Sequence, residues 1–155
     1  MTVITDRPAV TPRSLITPAL FSRLTARIAI DHPEHAHQAD VIMEQALAFL
    51  AACAVRPTAR LAPSEIVDIG WHTFILYTRE YAEFCQETAG RFIHHNPTDD
   101  NQAEGGCTAA DTVAVIRGLG LPVVADLWGH AADCEGSGTG KCSQCHQGCT
   151  NSPTK

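Results

Sequence analysis

The chain has 155 residues, of which 45% are hydrophobic and 18% are charged, and these values are ordinary for one globular domain. Its net charge of −6 and its scattered Lys and Arg residues disfavour a nucleic-acid binder and a protein that binds anionic membranes. Prolines interrupt the N-terminus where a signal peptide needs an apolar core, and we expect no stretch long and apolar enough to span a membrane. A cytoplasmic location with reduced thiols is therefore predicted.

Two helices are predicted after a loosely attached N-terminal arm, residues 1–16. The first helix begins with Thr17 as N-cap and Pro18 at the first helical position, where both residue types are favoured. It has to stop before His32, because the residue that precedes a proline is disfavoured in a helix. The second helix is expected from about Pro33 to Val55, where apolar residues recur with a helical period.

Capping residues predict two further helices in the middle of the chain. Ser64 is the expected N-cap of a helix from Glu65 to about Leu76. Thr78 is the expected N-cap of the next helix, which ends at Gly90, since glycine favours the left-handed conformation that follows many helices.

The last two helices are predicted from about Thr108 to Arg117 and from Pro122 to about Ala131. No alternating strand pattern longer than a few residues is present. The sequence therefore predicts an all-α domain, a compact bundle of five or six helices in residues 17–131. From Cys134 onward the chain is rich in Cys and Gly and otherwise lacks apolar residues. The tail, residues 132–155, is expected to be non-helical and either disordered or held by metal.

Metal-ligating and acid–base side chains are concentrated among residues that should form the apolar centre: Asp68, His72, Cys85, His94 and His95. Imidazole, thiolate and carboxylate groups bind transition metals and transfer protons. Helical spacing places Asp68 on the same face as His72. We expect His72 and one of the two adjacent histidines to bind a metal ion. Asp68 or Cys85 would complete the site or orient its ligands.

The same residues allow two other interpretations. A catalytic version of the site would use Asp68 or Tyr81 for proton transfer, and Tyr81 shares a helix face with Cys85. The plainer interpretation is a set of buried polar groups that satisfy one another, with Cys85 as an ordinary core thiol.

The C-terminal tail is a second candidate metal site. Cys142 and Cys145 form a C-x-x-C pair whose thiolates can reach one ion, and Cys149 follows four residues later. Cys134 or His146 would supply the fourth ligand of a tetrahedral zinc or Cu(I) site. The alternative is a flexible, thiol-rich segment that binds metal only opportunistically.

Other His and Cys residues carry weaker signals. His32, His35 and His37 lie between the first two predicted helices and are expected in a solvated segment. Cys53 lies on an apolar helical stripe and is expected in the core. Cys107 is expected in a loop near the central motif, where it could add a ligand but is more simply a loop thiol.

Three motifs of the central segment carry a family resemblance: VDIGWHTFIL, the Thr-x-x-Tyr-x-x-x-Cys pattern that follows it, and GRFIHHNP. The segment from near Asp40 to Trp128 resembles the glycine-rich domain-containing protein-like family of bacteria and plants. The matching positions are Asp68, Trp71, His72, Tyr81, Cys85, His94 and His95. The resemblance implies a helical fold and brings no established reaction. The short Cys-rich tail departs from the long Gly-rich extension of such proteins.

Two classes of function follow from these observations. The first is a small helical binding or interaction module that holds a metal ion, with zinc as the expected metal. The second is a small metal-dependent enzyme that acts on a small molecule at an open, His-based site. Copper and iron are the alternative metals. The expected partners are a metal ion and either a small molecule or a protein, with no membrane and no nucleic acid.

Overall fold

The computed structural model describes residues 10–96, 108–129 and 150–151. Within these ranges the chain is all-α, as predicted, and its only strands form one antiparallel pair of two residues each. The helices are α1 (Pro18–Asp31), α2 (Ala39–Val55), α3 (Glu65–Leu76), α4 (Thr78–Ala89), α5 (Ala109–Gly118) and α6 (Ala125–Trp128). The strands are β1 (His95–Asn96) and β2 (Thr150–Asn151). The predicted boundaries of the tail and of the helical domain stay predictions.

Side-chain caps begin α1 and α3 at the residues predicted from the sequence. Thr17 Oγ1 accepts a hydrogen bond of 3.2 Å from the Leu20 N–H. Ser64 Oγ accepts one of 3.1 Å from the Val67 N–H. Each cap satisfies a backbone donor that has no partner within the helix. Gly90 ends α4 with a φ of +66°, in the left-handed conformation expected after a helix.

Two helix starts differ from the predictions. Thr78 is the first residue of α4 and not its N-cap, which is Tyr77, without a side-chain capping bond. The second predicted helix begins as the 3-10 helix Pro33–Gln38, so α2 itself starts at Ala39. A 3-10 turn is a common way to begin a helical segment after a proline.

The start of α6 also differs, because Gln45 of α2 holds the segment before it. Gln45 Nε2 donates to the Pro122 carbonyl at 3.0 Å, and its Oε1 accepts from the Val124 N–H at 3.1 Å. Gln45 Oε1 also accepts a bond of 2.7 Å from Trp128 Nε1. These bonds keep the backbone extended at Val124, so the helix begins at Ala125 and not at Pro122.

The N-terminal arm was predicted to cover residues 1–16, but its last residues pack on the helical domain. Pro12–Leu15 forms a 3-10 turn in which Pro12 is buried. Arg13 Nε lies 3.1 Å from a carboxylate oxygen of Glu44, and its guanidinium lies 4.1 Å above the Phe21 ring. This part of the arm therefore packs against α1 and α2 instead of being loosely attached.

Helix α3 packs closely on α2, which lies in the centre of the core. A Cβ atom placed on Gly70 of α3 would lie 2.7 Å from Ala46 Cβ and 3.1 Å from the Ile42 carbonyl oxygen. A glycine is needed at this position because the two backbones approach too closely for a side chain. The contact fixes the helix that carries Asp68 and His72 against the core.

One helical stretch among the described residues, Pro33–Val55, is long and apolar enough by composition to cross a membrane. This differs from our expectation that the chain contains no such stretch. In the structure, 67% of its most apolar window is buried inside the fold, as in the core helix of a globular protein. The apolar character of this stretch is therefore explained by packing within the domain.

Candidate metal centre

Helix α3 supplies the first two residues of the candidate site. Asp68 and His72 lie four residues apart and therefore share one face of the helix, as the spacing predicted. The residues between them on the opposite face pack into the core, and Gly70 allows that face to approach α2. Asp68 Oδ2 and His72 Nε2 lie 3.3 Å apart.

Strand β1 supplies the third residue, His95, and Tyr81 of α4 positions the segment that precedes it. The Tyr81 hydroxyl donates to the Ile93 carbonyl at 2.6 Å and accepts a bond of 2.9 Å from Trp71 Nε1. The His95 ring lies against Trp71, with ring centroids 4.4 Å apart. These contacts join α3, α4 and the segment that leads into β1, so His95 is held over α3.

The three side chains converge on a space that could hold one metal ion. His95 Nε2 lies 3.1 Å from Asp68 Oδ1, and His72 Nε2 lies 3.3 Å from the other carboxylate oxygen, Oδ2. The His72 and His95 ring centroids are 4.3 Å apart. One potential ligand atom from each residue lies within 4.8 Å of the other two. Two imidazoles and a carboxylate are a donor set that suits divalent transition metals.

Burial differs across the site and affects its protonation. The side chains of Asp68 and His95 are only 11% and 14% exposed, whereas that of His72 is 54% exposed. Desolvation by burial lowers the pKa of His72, although the Asp68 carboxylate opposes this shift. The neutral imidazole is thereby favoured, and this is the form that binds metal ions.

A pocket of about 410 Å³ opens beside the site, and its surface is mostly apolar. It is lined by Asp31, His32, His72, Thr73, Ile75, Leu76 and His95. Two of the three candidate ligands therefore face the pocket. A metal ion bound to them would be accessible to a small molecule, since pockets of this size are typical of small-molecule sites.

Two residues predicted as ligands are not brought into this group. His94 is exposed, and its ring packs on Phe92 with centroids 4.8 Å apart. It lies next to His95 in an extended segment, where successive side chains point to opposite sides. Cys85 is buried, and burial raises the pKa of its thiol, so it remains a neutral core residue.

Tyr81, considered for proton transfer, is fully buried and makes hydrogen bonds on both sides of its hydroxyl. Burial also raises its pKa. The arrangement gives Tyr81 a role in positioning the segment before His95. Asp68, the other candidate for proton transfer, is the residue that contacts both imidazoles.

His32 is the residue of this region that the sequence did not assign to the site. It was expected in a solvated segment, but it follows the last residue of α1 and lines the pocket with His72. Its position depends on how α1 packs beside α3, and no short sequence motif predicts that packing. The predicted tail ligands Cys134, Cys142, Cys145, His146 and Cys149 lie outside the described residues, as does Cys107.

Residues 13–109 match the UCP032817-like family, and the chain belongs to that family. The matched stretch contains Asp68, His72 and His95 and ends before the Cys-rich tail. No curated protein and no solved structure matches the chain.

Proposed function

We propose that the protein binds one divalent transition-metal ion through Asp68, His72 and His95. The ion keeps a free coordination position for water or a small molecule. The convergence of the three ligand atoms within 4.8 Å of one another is the observation that carries this proposal. Zinc is the first choice of metal, because catalytic zinc sites use three protein ligands and leave one position for water or substrate. Iron(II) binds the same combination of two histidines and one carboxylate, and copper is a further alternative.

The position of the site supports an open rather than a closed arrangement. His72 is more than half exposed, and both histidines border the pocket. A closed structural zinc site would instead have four protein ligands and no free position. The proposed function is therefore metal-dependent conversion of a small molecule, which is the enzyme class of the two expected from the sequence.

Zinc titration by isothermal calorimetry of the chelator-treated, full-length protein tests this proposal. We expect one zinc ion at this site for the wild type, counted apart from any ion held by the tail thiolates, and affinity at this site at least about tenfold weaker for His95→Ala, which loses a ligand. His94→Ala is the matched control, because it removes the adjacent, exposed imidazole and should bind zinc like the wild type. Equal zinc affinity in the two variants would contradict the proposed ligand set.

A structural metal site completed by the tail is the second candidate, favoured by one observation. Strand β2 pairs with β1, and His95 lies opposite Asn151. Cys149 directly precedes β2 in the sequence. A fourth ligand from the tail would make the protein a binding module with a closed site. Truncation after Asp133 separates the candidates, because the open site keeps its zinc and the tail-completed site loses affinity.

Three further expectations remain proposals based on the sequence. The tail residues Cys142, Cys145 and Cys149 form a thiolate-rich metal site of their own, with Cys134 or His146. The location is cytoplasmic, and the resemblance to the glycine-rich domain-containing protein-like family reflects a shared fold. The number of zinc ions per chain tests the tail, because a separate tail site predicts two ions in the full-length chain and one after truncation, whereas a tail-completed central site predicts only one in the full-length chain.

A further inference from the structure

The pocket beside the candidate metal centre is lined by both polar and apolar side chains. His72 and His95 border it from α3 and β1, and they belong to the proposed metal site. Ile75 and Leu76, at the C-terminal end of α3, supply apolar lining. The Leu76 residue is 64% exposed, so much of its side chain is available to a ligand.

The charges beside His72 and His95 favour an anionic group. A divalent ion with two neutral imidazoles and the Asp68 carboxylate carries a net charge of about +1 at the site. Asp31 also lines the pocket, but its Oδ2 accepts a bond of 2.6 Å from Arg27 Nε, which balances its charge. His32 adds a third imidazole, whose Nδ1 lies 3.6 Å from a Glu34 carboxylate oxygen and whose Nε2 can donate a hydrogen bond to a bound anion.

We infer that the pocket binds small organic anions with a short apolar body, such as short-chain carboxylates. The anionic head group coordinates the metal ion, and the apolar body lies against Ile75 and Leu76. This inference rests on the proposed metal-binding function and adds the class of ligand. The volume of about 410 Å³ fits a molecule of this size.

Binding of two hydroxamates to the zinc-loaded, full-length protein tests the inference. Acetohydroxamate and hexanohydroxamate share a metal-chelating anionic head group and differ by four methylenes. Full burial of one methylene strengthens binding about fourfold, so partial burial of four should give about a tenfold or larger advantage to hexanohydroxamate. We expect neither compound to bind the chelator-treated protein.

Two exposed apolar residues provide the matched variants. Leu76→Ser should reduce the advantage of hexanohydroxamate at least about threefold and leave acetohydroxamate binding unchanged. Ile30→Ser, which alters a residue of α1 that is 73% exposed and is not among the pocket-lining residues, should keep the full advantage.

The outcomes separate the inference from the function on which it rests. If zinc binds and the two hydroxamates bind equally well, or if Leu76→Ser and Ile30→Ser behave alike, the inferred ligand class is overturned and the metal site stands. If zinc itself does not bind to the wild type, the proposed function fails first. Zinc binding together with a chain-length preference that only Leu76→Ser weakens supports both.

Discussion

Asp68 Oδ1 and His95 Nε2 lie 3.1 Å apart, although the two residues are 27 positions apart in the sequence. This contact joins α3 to β1 through a carboxylate and an imidazole that are both nearly buried. The other carboxylate oxygen lies 3.3 Å from His72 Nε2. Asp68 thus contacts both imidazoles, one through each carboxylate oxygen, and it supplies the negative charge of the group.

Replacement of Asp68 by asparagine should weaken zinc binding. The amide keeps the shape of the side chain but removes its charge, so we expect zinc affinity to fall about 10- to 100-fold. Asp40→Asn is the control, because Asp40 is an exposed partner of Arg13 and lies outside the proposed ligand set. Zinc affinity of Asp68→Asn equal to that of the wild type would show that the imidazoles alone hold the ion.

Removal of the Tyr81 hydroxyl should lower stability. Tyr81→Phe leaves buried Trp71 Nε1 and the Ile93 carbonyl without their shared partner, so we expect a loss of about 2 kcal/mol in the free energy of unfolding. Urea denaturation measures this loss. Tyr77→Phe, at the only other tyrosine, should change stability by less than about 0.5 kcal/mol. Similar losses in both variants would mean that the hydroxyl bonds do not stabilise the fold.

A methyl group at Gly70 should be poorly tolerated even though alanine favours helices. The new Cβ would lie 2.7 Å from Ala46 Cβ, so α3 and α2 would have to move apart. We expect Gly70→Ala to destabilise the protein by about 1–3 kcal/mol in thermal or urea unfolding. Gly118→Ala is the control, since no packed neighbour among the described residues lies within 4 Å of a Cβ atom placed there, and the change should be neutral or slightly stabilising. A Gly70→Ala variant as stable as the wild type would contradict the close approach of the helices.

The stability of the metal-free protein should depend on pH through His72. Burial lowers its pKa below the ordinary value of 6.5, so the unfolded chain takes up protons more readily than the folded one as the pH falls. The contribution of neutral His72 is therefore complete above about pH 6.5 and is lost as the pH falls through the folded-state pKa.

Urea unfolding with a chelator present, from about pH 8 to about pH 5, measures this dependence. His72→Gln should lose less stability on acidification than the wild type, because glutamine does not titrate. His94→Gln should follow the wild type, because the exposed His94 ring lies outside the group. Identical profiles for His72→Gln and the wild type would contradict the assignment to His72.

The sequence predicted the features that depend on neighbouring residues. The starts of α1 and α3 follow from hydroxyl caps at Thr17 and Ser64, which act within three residues. The pairing of Asp68 with His72 follows from the helical period alone. The start of α6 was predicted too early because the Gln45 side chain, from a distant helix, bonds to the backbone there.

The remaining parts of the site depend on tertiary contacts. Neither residue type nor spacing could decide between His94 and His95, because both are imidazoles in the same segment. His32 could not be assigned, since it joins the pocket only through the packing of α1 beside α3. Cys85 was predicted to contribute to the metal site because of its residue type, but its thiol is buried in the core.

The hydrogen bond from Tyr81 to the Ile93 carbonyl holds the backbone two residues before His95, the one of the two adjacent histidines that faces α3. Neighbouring side chains of an extended segment point to opposite sides, so a shift of one residue exchanges the faces of His94 and His95. The two imidazoles are chemically equivalent, and only the register of the backbone distinguishes them. The backbone register of this segment thus determines which of the two histidines contacts Asp68. Insertion of one residue between Gly90 and Ile93 would place His94 in the position of His95 and keep an imidazole beside Asp68, whereas deletion of one residue would place Asn96 there.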